Sequence, residues 1–238
     1  VATDPQAHPP ESPAFEPGTA PLIGTALGLG LAASVVALML LTWLGYLIRT
    51  NAPTGFDLTV RDAIRSLATD DLSNLMWGAS VYAAPVPLIA LSFGAALLFL
   101  LVGWKRGAAL IPVTLIGAAL LDGGLKALFG RTRPEAFYDY YPAPTSFSFP
   151  SGHALVATCF FGGLAVLISH RLEGRLAQVA VWLVAIALIL LVGVSRIYLG
   201  VHYPTDVAAG YAVGIIWVTA VALGDRLAER RRHLANGR

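Results

Sequence analysis

Residues 195–206 read Ser195-Arg196-Ile197-Tyr198-Leu199-Gly200-Val201-His202-Tyr203-Pro204-Thr205-Asp206. Long apolar runs flank this stretch, at about 176–194 and about 204–224. An arginine, a histidine and a carboxylate therefore stand between two segments suited to hydrocarbon. Charged groups held there are costly and are expected to be paired, functional or both. Read this way, the stretch is a boundary loop between two membrane-spanning helices and one part of an anion-handling site.

Composition agrees with the membrane reading. The chain is 56% hydrophobic and only 13% charged, where soluble domains carry about 25% charged residues. A helical span needs about 20 mostly apolar residues. The 238 residues accommodate six such spans, expected near 22–48, 76–102, 107–127, 151–169, 176–194 and 204–224. The fold class is all-α: a polytopic protein of six transmembrane helices. An interfacial helix is expected between the first two spans, where Phe56, Leu58, Val60, Ile64 and Leu67 alternate with Asp57, Arg61, Asp62 and Arg65. Pro85 and Pro87 are expected to kink the second span, which packed membrane helices tolerate.

Three regions follow. Residues 1–21 are Pro-rich and acidic without Lys or Arg and read as a disordered cytoplasmic tail. Residues 22–224 form the six-span domain, and residues 225–238 a basic cytoplasmic tail. The run after the acidic tail is too long for a signal-peptide core. The single cysteine, Cys159, excludes an intrachain disulfide and a Cys-rich zinc site, and reads as a packed thiol. A net charge of +2 gives no argument for nucleic acid.

Six spans put both termini on one side, together with the turns at Lys105-Arg106 and Arg171–Arg175. Arg226, Arg230, Arg231, Arg232 and Arg238 add to that side, and positive charge marks the cytoplasm. The other side carries Arg49, Arg61 and Arg65, and the first span dissents, with Arg49 on its outer flank and no basic residue on its inner one. The polar segments at the span ends then all fall on the outer face.

The first of these segments is Lys126-Ala127-Leu128-Phe129-Gly130-Arg131-Thr132-Arg133-Pro134. Its lysine is a point charge and Arg133 a planar fork, a pair able to close on one phosphate from two directions. The second is Phe149-Pro150-Ser151-Gly152-His153, directly before an apolar helix. A helix N-terminus offers unpaired N–H groups to an anion, and Gly152 lets backbone approach a ligand. Ser151 can cap the helix or bind the ligand, and His153 can donate a proton near working pH. In the third segment, Arg196 is another oxyanion ligand. His202 and Asp206 are four apart, so the carboxylate can hold one imidazole nitrogen and leave the other free to attack. Arg131 is read as a loop arginine in solvent, with a supporting contact to substrate as the alternative. Asp122, one helical turn before Lys126, is expected to pair with it and keep the ammonium aimed outward.

In this order the three segments resemble the type 2 phosphatidic acid phosphatase superfamily, in its membrane-bound lipid phosphatase branch. The resemblance implies that Lys126, Arg133 and Arg196 hold phosphate oxygens, with Ser151 and the Gly152 N–H. It implies that His202 attacks phosphorus to give a phosphohistidine, that Asp206 orients it, and that His153 protonates the leaving oxygen and then activates water. It implies no metal and no other cofactor. Three fixed cations and a helix terminus are a physically adequate replacement for a metal at a phosphoryl transition state. The implied partners are the bilayer and a lipid phosphate, in a bacterial plasma membrane with the site facing out. Polyprenyl diphosphate is the favoured substrate. Phosphatidylglycerophosphate, phosphatidic acid and diacylglycerol diphosphate are the alternatives, and oligomeric state is left open. A phosphotransferase would use the same residues, and a lipid-binding relative without activity would be expected to have lost some of them.

Overall fold

The computed structural model describes residues 20–50, 52–138 and 145–236. The expected acidic tail lies almost wholly outside them, as does Arg238. Among the described residues the regular structure is helical: α1 (Ala20–Leu47), α2 (Gly55–Ser66), α3 (Asp70–Tyr82), α4 (Pro85–Leu101), α5 (Lys105–Phe129), α6 (Gly152–Ala157), α7 (Gly163–Ser169), α8 (Arg175–Tyr198) and α9 (Pro204–Asn236). A π-helical segment, Thr158–Gly162, joins α6 to α7 into one span, Gly152–Ser169.

Among the described residues five helices are long and apolar enough to cross a membrane, and α3 with α4 makes a sixth if they form one broken span. This corrects the expected kinked helix at 76–102. The two pieces meet at 59°. Pro85 is the cause: the residue before a proline is pushed out of the α region. Ala84 accordingly adopts φ −63°, ψ 155°, and Pro85 starts a new helix. The sixth expected span also differs in length, since α9 continues through Asp225 and the arginines beyond it.

The connection between α1 and α3 contains a helix where the interfacial one was expected, but Asp57, Arg61 and Arg65 turn toward the protein while Asp62 is exposed. α2 opens on a capping box: Asp57 N–H donates to Thr54 Oγ1 at 3.0 Å, and Thr54 N–H donates to Asp57 Oδ2 at 3.1 Å. Asp57 is fully buried, whereas Phe56 and Leu67 are exposed. Arg61 and Arg65, one and two turns on, stack on Phe137 at 4.2 and 5.1 Å. A helix on a membrane surface ordinarily turns its charges to water. Here those three bind the protein.

α9 is the spine, packed on α1, α5, α6 and the π-helical segment. Leu88, Ile111, Leu115, Leu155, Val192 and Val213 build the main apolar cluster, and Cys159 is buried in it. α6 and α9 meet unusually closely at Gly210 and Gly214. A Cβ at Gly210 would lie 2.6 Å from the Ser151 carbonyl oxygen, and one at Gly214 3.3 Å from that of Leu155. Small residues at this spacing let helix backbones touch. The contact sets the start of α6 against the start of α9, which brings the second and third polar segments together.

Candidate active site

Asp206 is the third residue of α9 and accepts the Tyr203 N–H on Oδ2 at 2.9 Å. A carboxylate at this position satisfies a free backbone donor and sits in the positive field of the helix terminus. The same Oδ2 accepts the Ser148 hydroxyl, and Oδ1 accepts Arg131 Nη1 at 2.7 Å. His202 Nδ1 lies 3.4 Å from both Asp206 Oδ2 and Ser148 Oγ. Asp206 and His202 are fully buried.

The other imidazole nitrogen, Nε2, is 2.8 Å from Arg133 Nη1. A guanidinium can only donate, so Nε2 is the acceptor and the ring proton is on Nδ1, facing the carboxylate. Burial pushes the His202 pKa from its ordinary 6.5 down to about 3; Asp206 opposes this, and Arg133 and Arg196 add to it. His202 is therefore neutral at working pH, with its Nε2 lone pair directed at a cationic donor. That is the form of imidazole that can act as a nucleophile.

Arg133 also donates from Nη1 to the Val201 carbonyl at 2.9 Å, and from Nε and Nη2 to Ser146 O and Oγ at 2.6 and 3.0 Å. Arg196 is buried and donates to Ser80 of α3. Lys126 Nζ is 2.7 Å from Asp122 Oδ2, so the two residues pair across one helical turn. His153, in the first turn of α6, lies within electrostatic reach of Arg196, His202, Lys126 and Arg133. The eight residues named for the site are thus collected at one end of the bundle from α5 and the loop after it, the N-cap and first turn of α6, the end of α8, the α8–α9 loop and the start of α9.

Two details change the reading of the second segment. The space Gly152 leaves open is taken by Asp122: a Cβ there would lie 2.8 Å from Asp122 Oδ1. Gly152 thereby admits the carboxylate that holds Lys126. Ser151 does not cap its helix through its side chain. Its backbone N–H donates to the Asp206 carbonyl at 2.9 Å. Its hydroxyl is buried without a hydrogen-bond partner among the described residues. A buried orphan of this kind costs about 1–3 kcal/mol, and an acceptor such as a phosphate oxygen would satisfy it.

Arg131 is the clear correction. It is not a solvated loop residue but fully buried. Nη1 donates to Asp206 Oδ1 and Thr205 Oγ1, both at 2.7 Å, and Nη2 to Asp57 Oδ2 at 2.9 Å. Its guanidinium lies 4.3 Å from the centre of the Tyr203 ring. Sequence reasoning also missed Asp57, Ser148 and Ser80 as contributors. Asp57 carried one visible signal, an acid three residues after Thr54 in a capping box. Ser148 and Ser80 carried none, because only tertiary packing brings them to the site.

Fold and site together define a membrane-embedded phosphatase of lipid phosphate esters. The model of the PAP2 superfamily matches residues 107–226, and the chain belongs to that superfamily. Phosphatidylglycerophosphatase B of Bacillus subtilis (strain 168) is 32% identical over 192 residues, covering 78% of this chain and 91% of that protein. An undecaprenyl-diphosphatase of Sulfolobus acidocaldarius is 32% identical over 50% of this chain and 54% of its own length. The solved transmembrane PAP2-type phosphatidylglycerolphosphate phosphatase from Bacillus subtilis superposes with a TM-score of 0.71. It is 29% identical, and the match covers 81% of this chain and 96% of that one.

Proposed function

We propose that the protein removes a terminal phosphate from a membrane lipid by in-line attack of His202, through a phosphohistidine and without a metal. The observation that carries this reading is the neutral, buried His202, with Nδ1 toward Asp206 and Nε2 on Arg133. In the attack, Arg133 Nη1 moves from Nε2 to a phosphate oxygen, the Nε2–P bond forms and the P–O bond to the lipid breaks. His153 supplies the proton to the departing oxygen, and Asp206 balances the charge that appears on His202. Water activated by His153 then cleaves the N–P bond. Lys126, Arg133, Arg196 and Ser151 with the Gly152 N–H hold the three phosphate oxygens.

The substrate reading draws on the relatives. Phosphatidylglycerophosphate ranks first, because the phosphatidylglycerophosphatase B match spans nearly the whole of that protein. Polyprenyl diphosphate, favoured from the sequence, is the alternative that the shorter undecaprenyl-diphosphatase match supports. A mostly apolar groove of about 470 Å³ between α1 and α5, lined by Leu41, Gly45, Tyr46, Leu125 and Phe129 and also by Arg49, suits an apolar tail. The site faces out, because Lys105, Arg106, Arg171, Arg175 and the arginines of late α9 lie at the opposite end.

The test is phosphate release by purified protein in detergent, with a chelator and no added acceptor. The panel is phosphatidylglycerophosphate, polyprenyl diphosphate, phosphatidic acid and diacylglycerol diphosphate. Release from phosphatidylglycerophosphate is expected, with inhibition by vanadate, which mimics five-coordinate phosphorus. Release that appears only when an acceptor is added would instead mark a phosphotransferase.

A further inference from the structure

The inward stripe of α2 has a place in this chemistry. Asp57, Arg61 and Arg65 recur every four residues, so they share one helix face. Asp57 grips both polar loops: Oδ2 accepts from Arg131, and Oδ1 accepts the Thr205 N–H at 3.0 Å and the Thr205 hydroxyl at 2.8 Å. Arg61 donates to the carbonyls of Glu135 and Gly200, each two residues from a residue of the site, Arg133 or His202. Arg65 lies over the Tyr138 ring at 4.5 Å. One helix outside the three motifs thus ties the loop after α5 to the start of α9.

The charges form a linear chain. Asp57 and Asp206, both fully buried, take opposite ends of the Arg131 guanidinium, and Asp206 in turn faces His202. Arg131 alone would draw the negative charge of Asp206 away from the imidazole. Asp57 neutralises Arg131, so Asp206 keeps its charge for His202 when that ring becomes cationic. We propose that Asp57 and Arg131 are positioning residues for phosphoryl transfer: α2 holds and charge-balances the His202–Asp206 pair through a buried Asp57–Arg131–Asp206 chain. This rests on the reading of His202 as the nucleophile.

The chain predicts a loss in turnover rather than in substrate binding, because it acts on a charge that develops only after binding. Asp57→Asn keeps the shape and removes the charge. In the full-length protein with phosphatidylglycerophosphate in detergent micelles, kcat is expected to fall about ten- to a hundredfold with KM within about twofold, the range usual for partners of a reacting group. Introduced beside Asp206→Asn, the same change is expected to cost less than about threefold, because its route to His202 is already cut. Wild-type kcat in Asp57→Asn, or an equal loss with and without the Asp206 carboxylate, overturns the proposal.

If Asp57→Asn does not fold, Thr205→Val removes only the hydroxyl that bridges Asp57 and Arg131. Its kcat is expected to fall about threefold at constant KM, and an unchanged kcat overturns the proposal equally. A parallel His202→Ala separates the two levels. If His202→Ala turns over like the wild type, the reading of the whole site fails and takes this inference with it. If His202→Ala is inactive while Asp57→Asn is normal, only the α2 chain is wrong.

Discussion

The two ends of the helical bundle both carry ion pairs, but of different kinds. At the far end, Arg106 meets Asp225 at 2.7 Å and also reaches Glu229, with side-chain exposures of 35%, 21% and 48%. Arg226 reaches His170 at 2.9 Å, and Arg171 stacks on Trp104 at 4.2 Å. At the site end, Asp57, Arg131 and Asp206 are at 0%. Wet pairs are screened and individually weak. Dry pairs pay a large desolvation cost, which is recovered only with near-complete hydrogen bonding. The far-end charges can therefore serve orientation and loop anchoring, where position is forgiving. The site-end charges leave little freedom of geometry, because any displaced partner strands a buried charge. Rigidity of that sort is what positioning a nucleophile requires.

This contrast can be broken in order of expected effect. His202→Ala should eliminate phosphate release, leaving a protein that still elutes as a folded species in detergent; activity near that of the wild type would end the nucleophile assignment. Asp206→Asn should lower kcat by roughly 10³–10⁴-fold, as loss of the orienting carboxylate does in a hydrolase triad. A steady-state assay with equal protein loading checks it. Asp122→Asn should lower turnover about tenfold through Lys126 without abolishing expression. Unchanged turnover would mean that Lys126 is aimed by something else.

The fourth expectation concerns pH. His202 titrates near 6.5 when unfolded and is pushed down to about 3 by burial in the folded protein. Between these values the unfolded chain binds the extra proton, so stability increases with pH across this window and is lost as the medium is acidified. Melting temperatures from pH 7 to pH 4 should therefore fall less steeply in His202→Gln than in the wild type. At the far end, Arg106→Ala should cost less than about 1 kcal/mol, given the solvent screening of its partners, and leave kcat unchanged. A large activity loss there would erase the distinction between the two ends.

The legible part of the site was the part written in local spacing. Lys126, Arg133, Ser151, Gly152, His153, Arg196, His202 and Asp206 announced themselves as charges and polar groups at the ends of apolar runs. The Asp122–Lys126 pair followed from a separation of one helical turn. The break at Pro85 was half legible: the proline was visible, but whether packing straightens it into a kink or lets a second helix start at 59° is not a local property. Arg131 was misread because an arginine in a Pro- and Tyr-rich loop is usually solvated. Nothing within ten residues reveals that Asp57 and Asp206 wait on either side of it.

The sequence by itself determined the membrane class, the approximate spans and which charged and polar residues stand at the span ends. These depend on hydrophobicity, helical period and residue chemistry, all of which act over a few turns. Only the tertiary structure decided that α2 turns Asp57, Arg61 and Arg65 inward, that Gly210 and Gly214 seat α6 on α9, that Ser148 and Ser80 reach the site, and that Arg131 bridges two buried carboxylates. Each of these joins residues far apart in the chain, and burial rather than local preference selects the partner. Once water is excluded, a charge must find its complement wherever the fold provides one.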